Sequence, residues 1–587
     1  MAAFIELCIV GTGPRGLVAL ERLIAAAASL EKRSHLNITL FESSAYPGCG
    51  PNYATDQPRC NLLNVPLREI PMPPRSSVDG PISYSEFSSY QQWHDAQEHD
   101  ANDSAKDIFP ARADIGSYLQ ARFQSILDAN PSTVTLICEE VVAAEQRGGQ
   151  WHLRTNNSTQ PFKFDEVLLA IGHQPAQHDT NVERWIEAAS KSNNCFFYPQ
   201  PYPNQTLIDS DVIDSTSVVA LRGMGLSMID VVKSLTLGRG GAFIIDDAAT
   251  ITMRYQASGR EPKCLVPFSL DGQPMAPKPI NAIIDSRFNI PQATTRALES
   301  SLNADDNNFT ENKLRDCLIK CVSTIASAVF LKQEAFFPAM SVELDMDPEV
   351  VANLVKNWLM DEHFSHALIT DITAPTEQTM QLFLDMATGN RIPSLDFCVG
   401  QVWRKLQPTF YACLRFRHFD AEVIEAAMTL DQRMKRYAFG PPADAIAMLI
   451  ALHKTKILLF KIADDPEIKS TDKGWTLHDD NDAIVANIMV NTVLDQAQLS
   501  RTNSDLVVQL NNDGHTQAVH ESLGAKAEKD GSLISASKPS EGLYAAGRLI
   551  MGSVFEADAL LCCFGDDMTH WASGVLSRQR HKTLGTN

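Results

Sequence analysis

The chain has 587 residues, with 50 lysines and arginines against 71 aspartates and glutamates, which gives a formal net charge of −21. This length predicts two or more domains, and 44% hydrophobic with 21% charged residues is ordinary for a folded protein, which excludes disordered and collagen-like classes. The acidic balance and the lack of a basic stripe with interleaved aromatics argue against a nucleic-acid partner.

The cysteine pattern and the apolar stretches bear on the location of the protein. Twelve cysteines are scattered without a CxxC pair, so neither a disulfide framework nor a metal site is predicted, and a reducing, cytoplasmic compartment is favoured. The apolar N-terminus is not typical of a signal peptide, because it lacks a basic region and is interrupted by Glu6 and by residues 11–16. Three basic residues cut the most hydrophobic stretch, 443–460, so no membrane span and no membrane partner are predicted.

The first predicted unit is a strand, a glycine loop and a helix. Residues 4–10 have the pattern of a buried strand, the loop Gly11-Thr-Gly13-Pro14-Arg15-Gly16 follows, and a helical pattern begins directly after it. In this setting Gly11 makes the tight turn, Gly13 lets a pyrophosphate approach the backbone, and Gly16 lets the helix pack close to the strand. The helix N-terminus offers free N–H groups to the phosphates, so the whole loop, with Pro14 and Arg15, predicts a dinucleotide site.

The chain after this unit favours FAD as the dinucleotide. A second strand, 37–41, ends in Glu42, which is placed to accept hydrogen bonds from a ribose diol. In flavoproteins with two dinucleotide-binding domains the following chain folds over the ribityl and isoalloxazine groups, and small residues permit that approach. We therefore expect Gly48, Asn64 and Val65 to contact FAD; a surface loop without a ligand is the alternative.

Another short apolar strand ends in a glycine turn at residues 164–175. It resembles the ATG motif of flavin monooxygenases, where the chain passes between the two nucleotide domains. We therefore expect Gly172 to lie near the cofactor. The neighbouring His173 either contacts the cofactor or is a solvated loop histidine.

A second strand, glycine loop and helix begins at residue 217. The β-branched run 217–221 is followed by Gly223-Met-Gly225-Leu-Ser227 and a helical pattern, which predicts a second dinucleotide site at these residues. Met228 replaces the usual small residue, so the helix is expected to pack less closely on its strand.

A serine and an arginine follow the next predicted strand, at Ser258 and Arg260. Arginine pairs bidentately with phosphate, so this pair is expected at a 2′-phosphate and favours NADPH over NADH. The alternative for Arg260 is an ordinary surface arginine.

With these motifs in place the chain resembles the family of FAD/NAD(P)-binding proteins that includes flavin-dependent L-aspartate N-monooxygenases, which form nitrosuccinate, and FAD-dependent urate hydroxylases. The matching segments are GTGPRG at 11–16, LNVP at 63–66, RGMGLSMID at 222–230, SGREP at 258–262, FGPPA at 439–443 and LYAAGRLIMGS at 543–553. The chain departs from the family pattern in lacking an arginine near Ser269 and Leu270, and in the apolar run 561–563.

The resemblance implies an α/β fold with two Rossmann-like dinucleotide-binding domains and a largely helical insertion. The expected divisions are an FAD-binding domain at 1–180, an NADPH-binding domain at 181–288, a helical cap at 289–470 and a C-terminal return to the FAD domain at 471–587. In such a fold Gly547 and Arg548 lie beside the flavin. Two glycine loops imply one bound and one exchangeable nucleotide, with FAD and NADPH as the cofactors and O2 as co-substrate.

The chemistry implied by the resemblance is oxygenation of a small amine or amino acid, with L-aspartate as the best expectation, through a flavin C4a-hydroperoxide. The protein must exclude water, position the substrate nitrogen and keep it unprotonated. We expect an apolar wall at the amine and arginines at the carboxylates; the candidates are Arg68, Arg287 and Arg404. No nucleophile–base pair is required, and none is assigned.

Two other functions remain open from the sequence. A urate-type aromatic hydroxylase would need a flat pocket lined by aromatics and amides, and a flavoprotein acting as a redox or interaction module would bind FAD without consuming much NADPH. The absent CxxC argues against a disulfide reductase. The sequence leaves homo-oligomerisation open.

Overall fold

The computed structural model describes residues 4–29, 35–96, 106–303, 310–337, 346–417, 419–537, 540–555 and 559–585. The strands are β1 (Phe4–Val10), β2 (His35–Phe41), β3 (Val134–Ile137), β4 (Val141–Arg147), β5 (Gln150–Thr155), β6 (Phe162–Phe164), β7 (Glu166–Leu169), β8 (Phe196–Tyr198), β9 (Val218–Arg222), β10 (Ala242–Asp247), β11 (Thr252–Gln256), β12 (Cys264–Phe268), β13 (Glu467–Thr471), β14 (Gly474–His478), β15 (Ala483–Ala486), β16 (Ile488–Asn491) and β17 (Leu543–Ala545). The helices are α1 (Pro14–Ala28), α2 (Tyr90–Asp95), α3 (Arg112–Ala129), α4 (Thr180–Ser190), α5 (Gln205–Ile208), α6 (Leu226–Thr236), α7 (Ala282–Ser286), α8 (Gln292–Asn303), α9 (Glu311–Leu331), α10 (Pro348–Met360), α11 (Thr376–Ala387), α12 (Leu395–Leu414), α13 (Ala421–Ala438), α14 (Ala443–Lys454), α15 (Asp505–Asn512), α16 (Leu560–Cys563) and α17 (Asp567–Gly585). Within these ranges, every helix is too short or too polar to cross a membrane.

The first sheet is parallel, with strand order β17-β7-β1-β2-β3. Its central strand β1 reads FIELCIV and is almost continuously apolar because both of its faces are covered. Helices α1 and α17 pack together on one face and share a core that includes Leu17, Leu20 and Trp571. Because β17 comes from the C-terminal part of the chain, that part completes the first domain.

The second sheet is also parallel, with strand order β12-β9-β16-β8. Smaller antiparallel units, β10-β11, β4-β5-β6 and β13-β14-β15, flank the two parallel sheets. The fold class expected from the sequence is confirmed: the chain is an α/β protein with two Rossmann-like domains.

The two domains repeat the same hydrogen-bonding pattern at the end of their first strand. The Gly11 N–H donates to the Phe41 carbonyl at 2.8 Å, and the Gly223 N–H donates to the Phe268 carbonyl at 2.7 Å. One residue further, the N–H groups of Glu42 and Ser269 each donate to a carbonyl of the next segment of the sheet, at 3.1 and 2.9 Å. Strand β12 is therefore the counterpart of β2, and Ser269 occupies the position of Glu42.

The helical insertion lies in the connection between β12 and the next segment of the second sheet. Helices α7 to α14 lie between β12 and the segment 457–465, which pairs with β12 in parallel at Leu265 and Ser269. In the first domain the corresponding connection, between β2 and β3, carries α2 and α3. The insertion shares one hydrophobic core with the side of the first sheet that carries Val10 and Phe41, so it packs onto the first domain.

The domain divisions differ from the expected ones near the C-terminus. The chain leaves the helices after Lys454, adds the segment 457–465 and then β16 to the second sheet, and only afterwards reaches β17. The segment 471–587 was expected to return to the FAD domain, and in the structure β16 of this segment lies in the second sheet before the chain reaches β17. Local sequence patterns do not show which sheet a strand joins, and β16 pairs with β9 across more than two hundred residues.

Candidate functional site

The first glycine loop lies at the carboxyl edge of the first sheet, where the paired strands β1 and β7 end. Gly11 has φ +92°, and a Cβ there would lie 2.4 Å from the Ala170 carbonyl oxygen. A Cβ on Gly16 would lie 2.1 Å from the Gly11 oxygen, so this glycine lets α1 approach β1. A Cβ on Gly13, by contrast, would meet nothing closer than 3.9 Å. The loop therefore has the tight turn, the close packing and the open cradle that a pyrophosphate requires, and its residues fit a dinucleotide.

The carboxylate of Glu42 lies at the end of β2, buried beside this loop. One of its oxygens accepts hydrogen bonds from the Thr12 N–H (2.9 Å) and hydroxyl (2.8 Å). The other accepts from the Ser44 N–H (2.9 Å) and hydroxyl (2.7 Å). The Gly48 N–H also reaches the Thr12 hydroxyl, at 3.3 Å. A ribose diol would share or replace these bonds, because they already use both oxygens.

The C-terminal segment meets the first loop as β17 ends. Gly547 has φ +73°, and a Cβ there would lie 2.6 Å from Nε of Arg15, so Arg15 passes directly over it. Arg548 lines a small cavity together with Gly172 and Gln496. Gly172 follows β7 of the first sheet and Gln496 follows β16 of the second sheet, so the cavity lies between the carboxyl edges of the two sheets. Gly172 has φ +64° and open space where a Cβ would be.

The second glycine loop has the same open position. Gly223 packs against the end of β16, where a Cβ would lie 3.0 Å from the Thr492 hydroxyl, whereas a Cβ on Gly225 would meet nothing within 4 Å. Ser227 is buried in the first turn of α6. Three apolar side chains at this edge are exposed, namely Leu270 (85%), Val493 (46%) and Leu494 (49%). An open glycine beside exposed apolar side chains fits a nucleotide with its flat rings.

Ser258 and Arg260 lie at the opposite edge of the second sheet. The Ser258 hydroxyl donates to the Arg239 carbonyl at 2.8 Å, beyond the C-terminus of α6, and the Arg260 guanidinium lies over Gly240. The eleven residues of α6 separate this point from Gly225 by about 16 Å, at 1.5 Å per residue. This separation does not favour the expected contact of the pair with a 2′-phosphate, because β10-β11 is a separate hairpin and β12 takes the place of the second strand.

The residues that follow β12 occupy the ribose position of the second site. The Ser269 hydroxyl lies 3.3 Å from Asp271, and the Arg436 guanidinium of α13 is ion-paired with Asp271. Asp464 lies close by, where burial, followed by repulsion from Asp271, raises its carboxyl pKa. A hydroxyl and a guanidinium thus stand where the first site has Glu42.

Two of the three expected substrate arginines belong to one charged cluster. Arg68 donates to Asp107 twice, at 2.9 and 2.8 Å, and to Glu69 at 2.5 Å. Arg404 on α12 donates to Asp285 on α7, which lies 3.7 Å from Arg68. Asp285 also accepts from Lys405 at 2.8 Å. This cluster (Arg68, Glu69, Asp107, Lys278, Asp285, Arg404 and Lys405) joins the loop after LNVP to the helical insertion.

Lys278 is the most buried cation of the cluster. Its ammonium donates to the Asn64 carbonyl, in the loop expected over the flavin, while the Asn64 amide donates to the Phe439 carbonyl at 3.4 Å. Burial, and then the nearby Arg404 guanidinium, lower the pKa of Lys278 to about 7. Val65 follows Asn64 in this loop and is half-buried.

Arg287 lies outside this cluster. Its guanidinium packs over the rings of Phe336 and Phe337, each about 5.2 Å away, and burial lowers its pKa. Four residues of these sites are not predicted by any motif in the sequence, namely Lys278, Asp285, Ser269 and Arg436. None of these four carries a local motif, and only the repeat of the two sheets and long-range contacts identify them.

The chain thus has two parallel-sheet domains, each with a glycine loop, and a helical insertion in one connection of the second sheet, which is the architecture expected of a protein that binds two dinucleotides. Residues 8–174, which contain the first glycine loop, match the model of the FAD-NAD(P)-binding family.

Two curated relatives have nitrosuccinate or nitrosuccinic acid in their names. An L-aspartate N-monooxygenase (nitrosuccinate-forming) of Streptomyces cremeus is 30% identical over 288 residues, which cover 44% of this chain and 41% of the relative. The nitrosuccinic acid synthase npaA of Aspergillus oryzae is 30% identical over 271 residues, or 44% of this chain and 39% of the relative. The matches thus span about two fifths of the relatives' length. The solved L-lysine 6-monooxygenase of Pseudomonas syringae is 11% identical, with a TM-score of 0.47 over 97% of this chain and 99% of that one.

Proposed function

We propose that the protein is a flavin-dependent N-monooxygenase that uses NADPH and O2 to oxidise the amine of a small amino acid, with L-aspartate as the substrate and nitrosuccinate as the product. The observation that carries this proposal is the pair of glycine loops at facing carboxyl edges, in a chain that is similar to enzymes of that name. FAD is assigned to the first loop with Glu42, Gly48, Asn64, Val65, Gly172, Gly547 and Arg548, and the exchangeable nucleotide to Gly223, Gly225 and Ser227.

The chemistry supplied by bound FAD is the activation of oxygen after reduction by NADPH. The N–H groups at the start of α1 and the open Gly13 hold its pyrophosphate, and Glu42 takes its ribose. Because Gly547 has no side chain, the Arg15 side chain can pass over it and lie beside the loop, where it adds positive charge. The helical insertion, which shares a core with the first sheet, excludes water from this side of the site.

Arg68 and Arg404 are the proposed partners of the substrate carboxylates. Guanidinium groups bind carboxylates bidentately, and these two already converge on Asp285, an internal carboxylate in the place of an anionic ligand. A substrate carboxylate would displace Asp285 or Glu69 and accept hydrogen bonds from the guanidinium N–H groups of the two arginines. Arg287 is not included in this assignment, because it lies against two phenylalanines outside the cluster.

The same cluster accounts for the protonation state that the reaction needs. Only the neutral amine is nucleophilic, and an ammonium loses its proton more readily when it is buried beside cations. The lowered pKa of Lys278, at about 7, has this cause. A substrate amine held next to Lys278 would experience the same burial and the same repulsion from Arg404, and both lower the pKa of an amine.

Preference for NADPH is assigned to Ser269 and Arg436 in place of Ser258 and Arg260. Ser269 replaces the acidic residue of the first site, and so removes one carboxylate that would repel a 2′-phosphate. Arg436, which is ion-paired with Asp271 in the structure, would supply the guanidinium for that phosphate.

The test is aerobic NADPH oxidation by the FAD-loaded protein with a panel of amino acids that includes 15N-labelled L-aspartate. We expect aspartate to stimulate NADPH and O2 consumption and the label to appear in an oxidised nitrogen product. NADPH oxidation that yields only hydrogen peroxide with every amino acid would reject the proposal, and stimulation by urate or another purine would replace it with an aromatic hydroxylase.

A further inference from the structure

A buried polar contact joins the helix of the second glycine loop to the first domain. Asp230, on α6, lies five residues after Gly225, and its side chain is only 4% exposed. One of its oxygens accepts from Arg112 at the start of α3 and from the Tyr202 hydroxyl, both at 2.7 Å. Its other oxygen lies 3.5 Å from the Lys233 ammonium. The carboxylate is thus held by two elements of the chain besides its own helix.

The neighbouring contacts on α6 are polar as well. Asn61 of the first domain and Asn204 exchange two amide hydrogen bonds, at 3.0 and 2.8 Å, and both residues are at most 1% exposed. Asn204 also donates to Ser234 of α6 at 2.7 Å. The Arg112 N–H closes the set by donating to the Asn61 carbonyl at 2.8 Å. Two apolar surfaces can slide past each other at little cost, whereas these paired buried hydrogen bonds fix α6 in one position relative to the first domain.

Burial and neighbouring charges act in opposite directions on Arg112, which is ion-paired with Asp230. Burial would lower the pKa of Arg112, but Asp230 and Tyr202 outweigh it and the pKa is raised. Burial and Asp230 raise the pKa of Tyr202 to about 12. Removal of one partner would leave the other charge buried and uncompensated.

We infer that Asp230 is a positioning residue for hydride transfer: its buried bonds to Arg112 and Tyr202 set the distance between the second glycine loop and the flavin domain. This inference rests on the proposed function, because it matters only if a nicotinamide nucleotide at Gly223–Gly225 reduces FAD. Hydride transfer depends steeply on the separation of donor and acceptor, and a misplacement of about 1 Å costs roughly 100-fold in rate. Asp230 itself does not contact the reacting atoms.

The experiment is anaerobic stopped-flow reduction of the FAD-loaded full-length protein by NADPH, followed by flavin absorbance, with NADPH and with NADPH deuterated at the transferred position. We expect Asp230→Asn to lower the limiting reduction rate at least about tenfold and to alter the primary isotope effect, with the Kd values for FAD and NADPH within about threefold of wild type. Asp230→Glu should recover part of the rate. Asp211→Asn is the matched control, because Asp211 is exposed in the same domain.

Tyr202→Phe covers the case in which Asp230→Asn does not fold. It removes the two hydrogen bonds of the Tyr202 hydroxyl, to Asp230 and from Arg112, and leaves the ion pair between those two residues; a rate reduced several-fold is expected. Unchanged reduction rates in both variants, or losses explained wholly by weaker nucleotide binding, would overturn the inference while leaving the proposed function intact. A wild-type protein whose FAD is not reduced by NADPH would overturn the proposed function, and this inference with it.

Discussion

Substitution of Gly13 by alanine separates folding from cofactor binding. The added Cβ would lie 3.9 Å from the nearest atoms, the Cys49 carbonyl oxygen and the Gly50 Cα, which is ordinary contact, and the backbone φ of −55° lies outside the left-handed region that favours glycine. The apoprotein should therefore keep its stability to within about 1 kcal/mol. The new methyl group instead fills the cradle that the pyrophosphate needs.

The expected loss of affinity follows from the hydrogen bonds at the loop. A hydrogen bond to a charged group contributes about 1.5–3 kcal/mol, so the loss of one phosphate contact should weaken FAD binding about 10- to 150-fold. The assay is titration of the apoprotein with FAD, followed by flavin fluorescence, alongside thermal unfolding without cofactor. Gly11→Ala is the contrasting variant: with φ +92° and a Cβ 2.4 Å from the Ala170 oxygen, it should destabilise the apoprotein itself. FAD affinity of the Gly13→Ala protein within threefold of wild type would refute the assignment of this loop.

Three further predictions follow from the charged groups. Because burial lowers the pKa of Lys278 to about 7, the unfolded chain binds a proton that the folded chain lacks above that pH. Stability should therefore rise from about pH 7 to 9, by at most about 1.4 kcal/mol per pH unit, and Lys278→Met should flatten this rise in melting temperature. Arg404→Gln should raise the KM for aspartate at least about tenfold without changing FAD affinity, whereas Arg287→Gln should stay within twofold; equal effects would contradict the substrate assignment. Arg436→Gln should raise the KM for NADPH but not that for NADH, and Arg260→Gln should change neither; the reverse pattern would restore the sequence-based interpretation.

The glycine loops were predictable because each is a local pattern. A strand, a glycine turn with fixed spacing and a helix succeed one another within about thirty residues, and the structure has β1, β2 and β9 within a few residues of their predicted bounds. Glu42 could be found for the same reason, since it ends the second strand of the unit. The open space at Gly13 and Gly225 is the structural counterpart of that pattern.

The sequence does not show which strands pair. Ser258 and Arg260 were expected at the 2′-phosphate because they follow the next predicted strand, but that strand, β11, pairs with β10 in a two-stranded unit, and β12 is the strand that pairs with β9. Arg68 and Arg404 were chosen as isolated arginines. Their proximity depends on Asp285, which is more than two hundred residues from Arg68 and has no recognisable motif. Lys278 likewise acquires its lowered pKa only from the folded surroundings.

One measurement tests the central claim most directly: FAD-loaded protein is reduced anaerobically with one equivalent of NADPH and then mixed with oxygenated buffer, with and without 15N-labelled L-aspartate. The account predicts that NADPH bleaches the flavin, that the flavin reoxidises on mixing, and that oxidised labelled nitrogen forms only when aspartate is present. A flavin that NADPH does not bleach, or one that reoxidises with hydrogen peroxide as the sole product in the presence of aspartate, would contradict it.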